Sequence, residues 1–166
     1  MDIVLALGVV MVLAFGAVML VGAPYLPTLG KQANSALDLL DLKKGQRLLE
    51  LGAGDGTVAL VALKRGYKVT AIELNPLLCC VIYLRTLRYR SNINIRCANF
   101  WTTKWGEYDG VYVFLLDKYM KRLDKRVIQE NKTLRLASFA FKIPGKSFVH
   151  EQNDVYLYEY RQTNSR

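Results

Sequence analysis

Charge is missing from the start of this chain. From Ile3 to Ala23 there is no charged residue, and no Lys or Arg precedes Lys31, so all 23 basic residues lie from that point on. Those 21 apolar residues would span about 31 Å as a helix, close to the ~30 Å hydrocarbon thickness of a bilayer. A cleaved signal peptide is disfavoured, because the basic N-terminal region is absent, the apolar run is too long, and Ala23 is followed by Pro24. The lack of any polar stripe disfavours a surface helix of a water-facing domain. The expected organisation is a single transmembrane anchor with linker over 1–30 and one domain over 31–166. With every cation on the C-terminal side, the domain is expected on the cytoplasmic side of the membrane.

Histidine and cysteine are also scarce. His150 is the one histidine, and Cys79, Cys80 and Cys97 are the three cysteines. An odd count with two adjacent thiols argues for reduced cysteines, and without a CxxC or a Cys/His cluster no metal site is expected. Internal repeats and low-complexity segments are absent too. What is present is positive charge, +9 overall. It suits either an anionic membrane surface or nucleic acid, and charge alone leaves both open.

Pro24 and Pro27 in "PYLPT" break the apolar run. "NSALDLLDL" then has the spacing of a short amphipathic helix with Ala36, Leu37 and Leu40 on one side. From Arg47 onward strands and helices alternate. "RLLELGA", "KVTAIEL", "INIRCA", "GVYVFLL" and "LRLASFAF" read as strands, and "TVALVALKRG", "NPLLCCVIYLRTLRYR" and "KYMKRLDKRVIQEN" as helices. Asn75 fits an N-cap with Pro76 at the first helical position, and Asp117 fits the cap of the last helix. Cys79 and Cys80, in an apolar helix, are expected in the core. "SFVHEQNDVYLYEY" reads as two strands turning at Asn153-Asp154. The expected fold is α/β: the transmembrane helix, then a doubly wound, mainly parallel Rossmann-like sheet covered on both faces and ending in an antiparallel hairpin.

The chemistry concentrates in "LLELGAGDGTVAL", where Gly52, Gly54 and Gly56 follow an apolar strand. A strand-to-helix turn at the carboxyl end of such a sheet is where ligands bind, and glycines let the backbone approach them. The dinucleotide pattern GxGxxG is incomplete here, since Thr57 occupies its third glycine. Glu73, at the end of the second strand, is placed to accept from both hydroxyls of a ribose, which points to an adenosine-containing ligand. Glu50, an acid inside an apolar strand, needs a partner. A cationic ligand supplies one and a pyrophosphate does not. That favours S-adenosyl-L-methionine, with its sulfonium and ammonium, over a dinucleotide.

With "LELGAGDG" followed by "IELNPLL", the sequence resembles the class I, seven-strand S-adenosylmethionine-dependent methyltransferases. More narrowly it is similar to the membrane-anchored lysine methyltransferases of the group acting on adenine nucleotide translocase and the c-ring protein of ATP synthase, and to their small prokaryotic relatives. The likeness includes the apolar N-terminus, "PYLPT", "NFW" (Asn99 to Trp101), "VYVFLLDKYM" and "FKIP" (Phe141 to Pro144). It implies that Glu50, Gly52, Ala53, Gly54, Asp55 and Gly56 line the methionine part of the cofactor. It also implies that Glu73 and Leu74 hold the ribose side, and that Asn99 and Phe100 meet the adenine, Asn99 standing where the family usually has an acid. Asp117 replaces a common proline, and Lys146 a common tryptophan.

A lysine acceptor must be neutral when it attacks, so desolvation or a base has to help. Trp101, Phe114, Leu115 and Phe141 are candidates to desolvate it, and Asp117 or Tyr119 to take the proton. The chain lacks NPPY or DPPY after the fourth strand, against methylation of an adenine amino group, and lacks a Pro-Cys pair there, against covalent pyrimidine chemistry. His150 stands alone and is not expected to be catalytic. Three readings remain open: a methyltransferase for a lysine of a membrane protein; one for RNA or a small or lipid-like molecule; and a non-catalytic methyltransferase-like scaffold.

Overall fold

A computed structural model describes Ile3, Leu5, Ala6, Gly8, Val9, residues 30–130 and residues 133–162. Among these, no helix is long and apolar enough to cross a membrane. Most of the expected anchor, residues 10–29, lies outside the described residues.

Helix α1 (Gly30–Leu40) opens the domain and buries Ala33, Ala36, Leu37 and Leu40, the face its spacing predicts. It begins four residues earlier than the expected segment and stops at Leu40. Asp41 takes a positive φ there, ending the helix before Leu42. Then come β1 (Arg47–Leu51), α2 (Thr57–Lys64), β2 (Lys68–Glu73), α3 (Pro76–Thr86) and a 3-10 turn at Leu87–Tyr89. β3 (Ile93–Cys97), β4 (Gly110–Val113), α4 (Asp117–Glu130), β5 (Leu134–Phe139), β6 (His150–Gln152) and β7 (Val155–Tyr160) complete the chain order. Asn75 caps α3 as expected: its side-chain oxygen accepts from the Leu77 N–H at 2.9 Å, with Pro76 next in the helix. α2 closes at Gly66 with Tyr67 N–H donating to Ala62 O at 3.1 Å, a reversal of the Schellman kind.

The sheet has seven strands in the order β3-β2-β1-β4-β5-β7-β6. β1 to β5 pair in parallel, whereas β7 runs antiparallel to both β5 and β6. The β6–β7 turn falls on Asn153 and Asp154, both with positive φ. Residues of this kind tolerate that conformation best after glycine. β7 therefore sits between β5 and β6, an insertion that strand periodicity does not reveal.

Alternation along the strands divides the core into two layers. Leu48, Val69, Ala71, Tyr112, Ala137 and Leu157 pack with α1, α2 and Ile82 of α3. Leu49, Leu51, Ile72, Val111, Val113 and Leu136 face the other way and pack with Met120, Leu123 and Val127 of α4. Among the described residues, three helices thus cover one face and one covers the other. The stretch between β3 and β4, where a further helix would complete the double winding, is an irregular segment anchored by Trp105. That side chain is 2% exposed, and its indole N–H donates to Phe100 O at 2.8 Å. Cys79 is buried as expected, but Cys80 is exposed because it lies on the outer side of α3.

Trp105→Phe should keep most of the apolar filling while leaving the Phe100 carbonyl without its donor. The expected loss is about 1–3 kcal/mol, read as a lower urea midpoint at unchanged slope.

Candidate functional site

The site lies where the strands end. β1 stops at Leu51, and the chain turns through Gly52, Gly54 and Gly56, with φ of 72°, 59° and 75°. L-residues with side chains rarely adopt that region. Gly52 and Ala53 both donate to Ile72 O, at 2.9 and 3.1 Å, which pins the turn to the end of β2. Gly54 N–H donates to Glu73 Oε2 at 2.8 Å, while the other carboxylate oxygen of Glu73 accepts from Asn75 N–H at 2.9 Å. Glu73 thereby ties the glycine turn to the start of α3. Each of its oxygens keeps a second lone pair for a ligand, and Leu74 follows it half-buried.

Glu50 lies beneath this turn, 2% exposed. The Ala59 backbone N–H, in the first turn of α2, donates to its carboxylate. Its Oε2 is buried without a hydrogen-bond partner. Burial pushes the Glu50 carboxyl well above the usual carboxylate range; the Ala59 N–H pulls it down, and the nearby Asp55 and Glu73 charges push it further up.

The remaining positions separate by role. Phe100 faces the turn, its Cε1 4.0 Å from where a Cβ on Gly52 would stand. Asp55 accepts from the Thr57 N–H and hydroxyl at 3.1 and 2.9 Å and pairs with Arg85 of α3, so its carboxylate braces α2 against α3. A Cβ on Gly56 would come within 3.0 Å of Ile82 Cγ1. Its small size is therefore needed for helix packing. The Asn99 side-chain oxygen accepts from Trp101 N–H at 2.9 Å, holding the turn after β3 and leaving one further acceptance free. Glu50, Gly52, Ala53, Gly54, Glu73, Leu74 and Phe100 share one locale. Gly56 and Asp55 support it from the helix side.

Beyond β4 the picture is looser. Asp117 is the exposed first residue of α4. Tyr119 is half-buried, its ring 6.1 Å from Trp101, which in turn meets the Phe100 ring at 4.6 Å with a 43° tilt and carries Arg122 4.3 Å above it. Phe114 and Phe139 meet at 4.6 Å where β4 and β5 end. Near the end of β5, Ser138 Oγ donates to Phe141 O at 2.8 Å, and beyond the strand Ile143 N–H donates to the Tyr158 hydroxyl at 2.9 Å. Those bonds fix the "FKIP" segment. The Asp55–Arg85 pair and the Arg122–Trp101 contact are invisible in the sequence, because each joins residues far apart in the chain with no motif between them.

Residues 50–150 match the ANTKMT methyltransferase domain, and the chain belongs to that family. It is 28% identical over 111 residues to the human lysine N-methyltransferase named for the C subunit of ATP synthase, an alignment covering 64% of this chain and 46% of that protein. With the protein of the same name from Xenopus laevis, identity is 26% over 145 residues, 82% of this chain and 63% of the other. The chain spans about half the length of the curated relatives it matches. Its fold is similar to that of an RNA methyltransferase from Salinibacter ruber in complex with S-adenosyl-L-homocysteine, with TM-score 0.75, 18% identity, and coverage of 85% of this chain and 96% of that one. The site fits S-adenosyl-L-methionine. An orphaned buried carboxylate oxygen asks for a cation, and a left-handed glycine turn leaves room for a ligand against the backbone.

Glu50→Gln tests the buried acid. A folded-state pKa raised above the unfolded value means that Glu50 favours folding only where it is protonated. Stability is therefore lost as pH rises from the ordinary carboxylate range through the folded pKa. The amide removes that loss, so the ligand-free variant should melt a few °C higher than wild type at pH 8. The gap should close by pH 4. A gap independent of pH would contradict the assignment.

Proposed function

We propose that this protein moves a methyl group from S-adenosyl-L-methionine to a lysine side chain on a membrane protein, from a position tethered to the bilayer by its apolar N-terminus. The observation that carries the cofactor half is the unpartnered Glu50 oxygen below the glycine turn. The acceptor half rests on the family and on relatives named for lysine N-methylation. The tether rests on the uncharged run from Ile3 to Ala23 and the absence of basic residues before Lys31.

When bound, the cofactor supplies an electrophilic methyl on a sulfonium. The chain's own residues do the rest by alignment. Glu73 accepts from the ribose hydroxyls while its bonds to Gly54 and Asn75 hold it still. Glu50 faces the positively charged methionine end. Asn99 accepts from the adenine amino group, and Phe100 and Leu74 flank the adenosine. Phe114, Trp101 and Phe141 give the acceptor amine an apolar approach, which favours its neutral form. Asp117 takes the proton at the exposed rim, and Tyr119 positions Trp101. The acceptor is a lysine near the membrane surface, within reach of a tethered domain on the cytoplasmic side. RNA is the competing acceptor, consistent with the basic surface.

The test supplies methyl-labelled S-adenosyl-L-methionine and the full-length protein to separated membrane, soluble-protein and RNA fractions, with Glu73→Gln as control. Label on a lysine of a membrane protein, falling at least tenfold in the control, is the expected result. Label on RNA would replace this acceptor, and cofactor binding without any label would indicate a scaffold.

A further inference from the structure

Helix α3 is apolar on both sides. Cys79, Ile82 and Thr86 face the sheet, and at 100° per residue the opposite side carries Leu77, Cys80, Val81 and Leu84, with Leu87 beside them. These outer residues are open to water, Leu84 at 65% and Leu87 at 45%. Outside the N-terminal segment, most of the large exposed apolar side chains among the described residues lie on α3 and the turn after it. A contiguous apolar stripe of this kind marks an interaction surface.

Charge identifies the partner. Between Glu73 and Glu107 the sequence holds no acidic residue but contains Arg85, Arg88, Arg90, Arg96 and Lys104. Arg85 pairs with Asp55, whereas Arg88 and Arg90 are exposed with no acidic partner among the described residues. An exposed apolar stripe ending in unpaired guanidiniums, flanked by Tyr83 and free of carboxylates, on a helix whose inner side packs on the sheet, offers a membrane interface both acyl contact and cationic anchors. Aliphatic side chains there enter the acyl boundary and the arginines meet lipid phosphates. RNA would be poorly served by Leu77, Val81 and Leu84, which offer bases neither hydrogen bonds nor a stacking face.

We propose that the outer face of α3, from Leu77 to Arg90, docks flat on an anionic bilayer. This adds a second membrane contact to the proposed N-terminal tether and does not depend on it. α3 begins directly after Asn75, whose N–H donates to the Glu73 carboxylate. Docking therefore brings the rim of the cofactor site alongside the lipid headgroups, where a lysine at the membrane surface would be met.

The experiment labels full-length Cys97→Ala protein with an environment-sensitive fluorophore at Cys80, the remaining exposed thiol. The protein is mixed with neutral phosphatidylcholine vesicles or with vesicles containing phosphatidylserine, and flotation is recorded in parallel. The expected result is a blue shift on phosphatidylserine vesicles that returns to the water-exposed level in Arg88→Glu/Arg90→Glu and in Leu84→Asp. Flotation persists in those variants if the tether holds. Protein that floats with a Cys80 probe still reporting water would overturn the docking and leave the tether intact. Loss of flotation on neutral vesicles together with a blue shift on anionic ones would sink the tether and keep the docking. A shift that needs no lipid and grows with protein concentration would assign the stripe to a second copy, and one produced by RNA alone would assign it to nucleic acid. Both outcomes overturn the proposal.

Discussion

Two carboxylates beneath one glycine turn set the conditions for everything around them. Glu73 is satisfied: the Gly54 and Asn75 amides hold it, and through it the ends of β1 and β2 and the start of α3 share one hinge point. Glu50 is not satisfied. It has a single amide donor, an orphaned oxygen, and two acids close enough to raise its affinity for a proton. Burying such a group costs stability. The cost is tolerable in a protein whose ligand brings positive charge to that point and would be hard to explain otherwise. Glu50 and Glu73 make the strand-end turn acidic, whereas the aromatic side toward Phe114 and Trp101, with Arg122 4.3 Å above the Trp101 ring, is the approach proposed for the acceptor.

The surrounding packing keeps that arrangement rigid from one side only. α1, α2 and α3 cover one face of the sheet, and the Asp55–Arg85 pair locks the turn's helix to its neighbour. On the other face, α4 and the Trp105 segment have to do what more helices would do in a fully double-wound domain. The aromatic contacts among Phe100, Trp101, Tyr119 and Arg122 carry this load across the gap between β3 and α4.

Much of this was legible in the residues. Glycines that need positive φ, an acid at the end of the second strand, and an N-cap followed by proline are local chemistry, and local chemistry survives without knowledge of the fold. The strand order at the closing edge was less accessible. A hairpin is visible in "SFVHEQNDVYLYEY", but nothing in its period says that β7 enters between β5 and β6. Asp55 illustrates another limit. Its place in the glycine motif suggests a ligand contact, while its carboxylate is occupied by Thr57 and Arg85. Asn99, by contrast, shares its oxygen only with the nearby Trp101 N–H and keeps a second acceptance for a ligand. Tertiary neighbours, distant in sequence, decide which members of a motif remain available.

If Glu50, whose carboxyl is held well above the usual range by burial, meets the positive end of the cofactor as proposed, then binding should release its proton. The direct measurement is calorimetry of S-adenosyl-L-methionine binding between pH 5 and 7 in buffers of different ionisation enthalpy, for wild type and Glu50→Gln. A wild-type enthalpy that varies with buffer in the sense of proton release, and a variant enthalpy that does not, is the predicted result. Binding of equal affinity and equal buffer dependence in both proteins would contradict it.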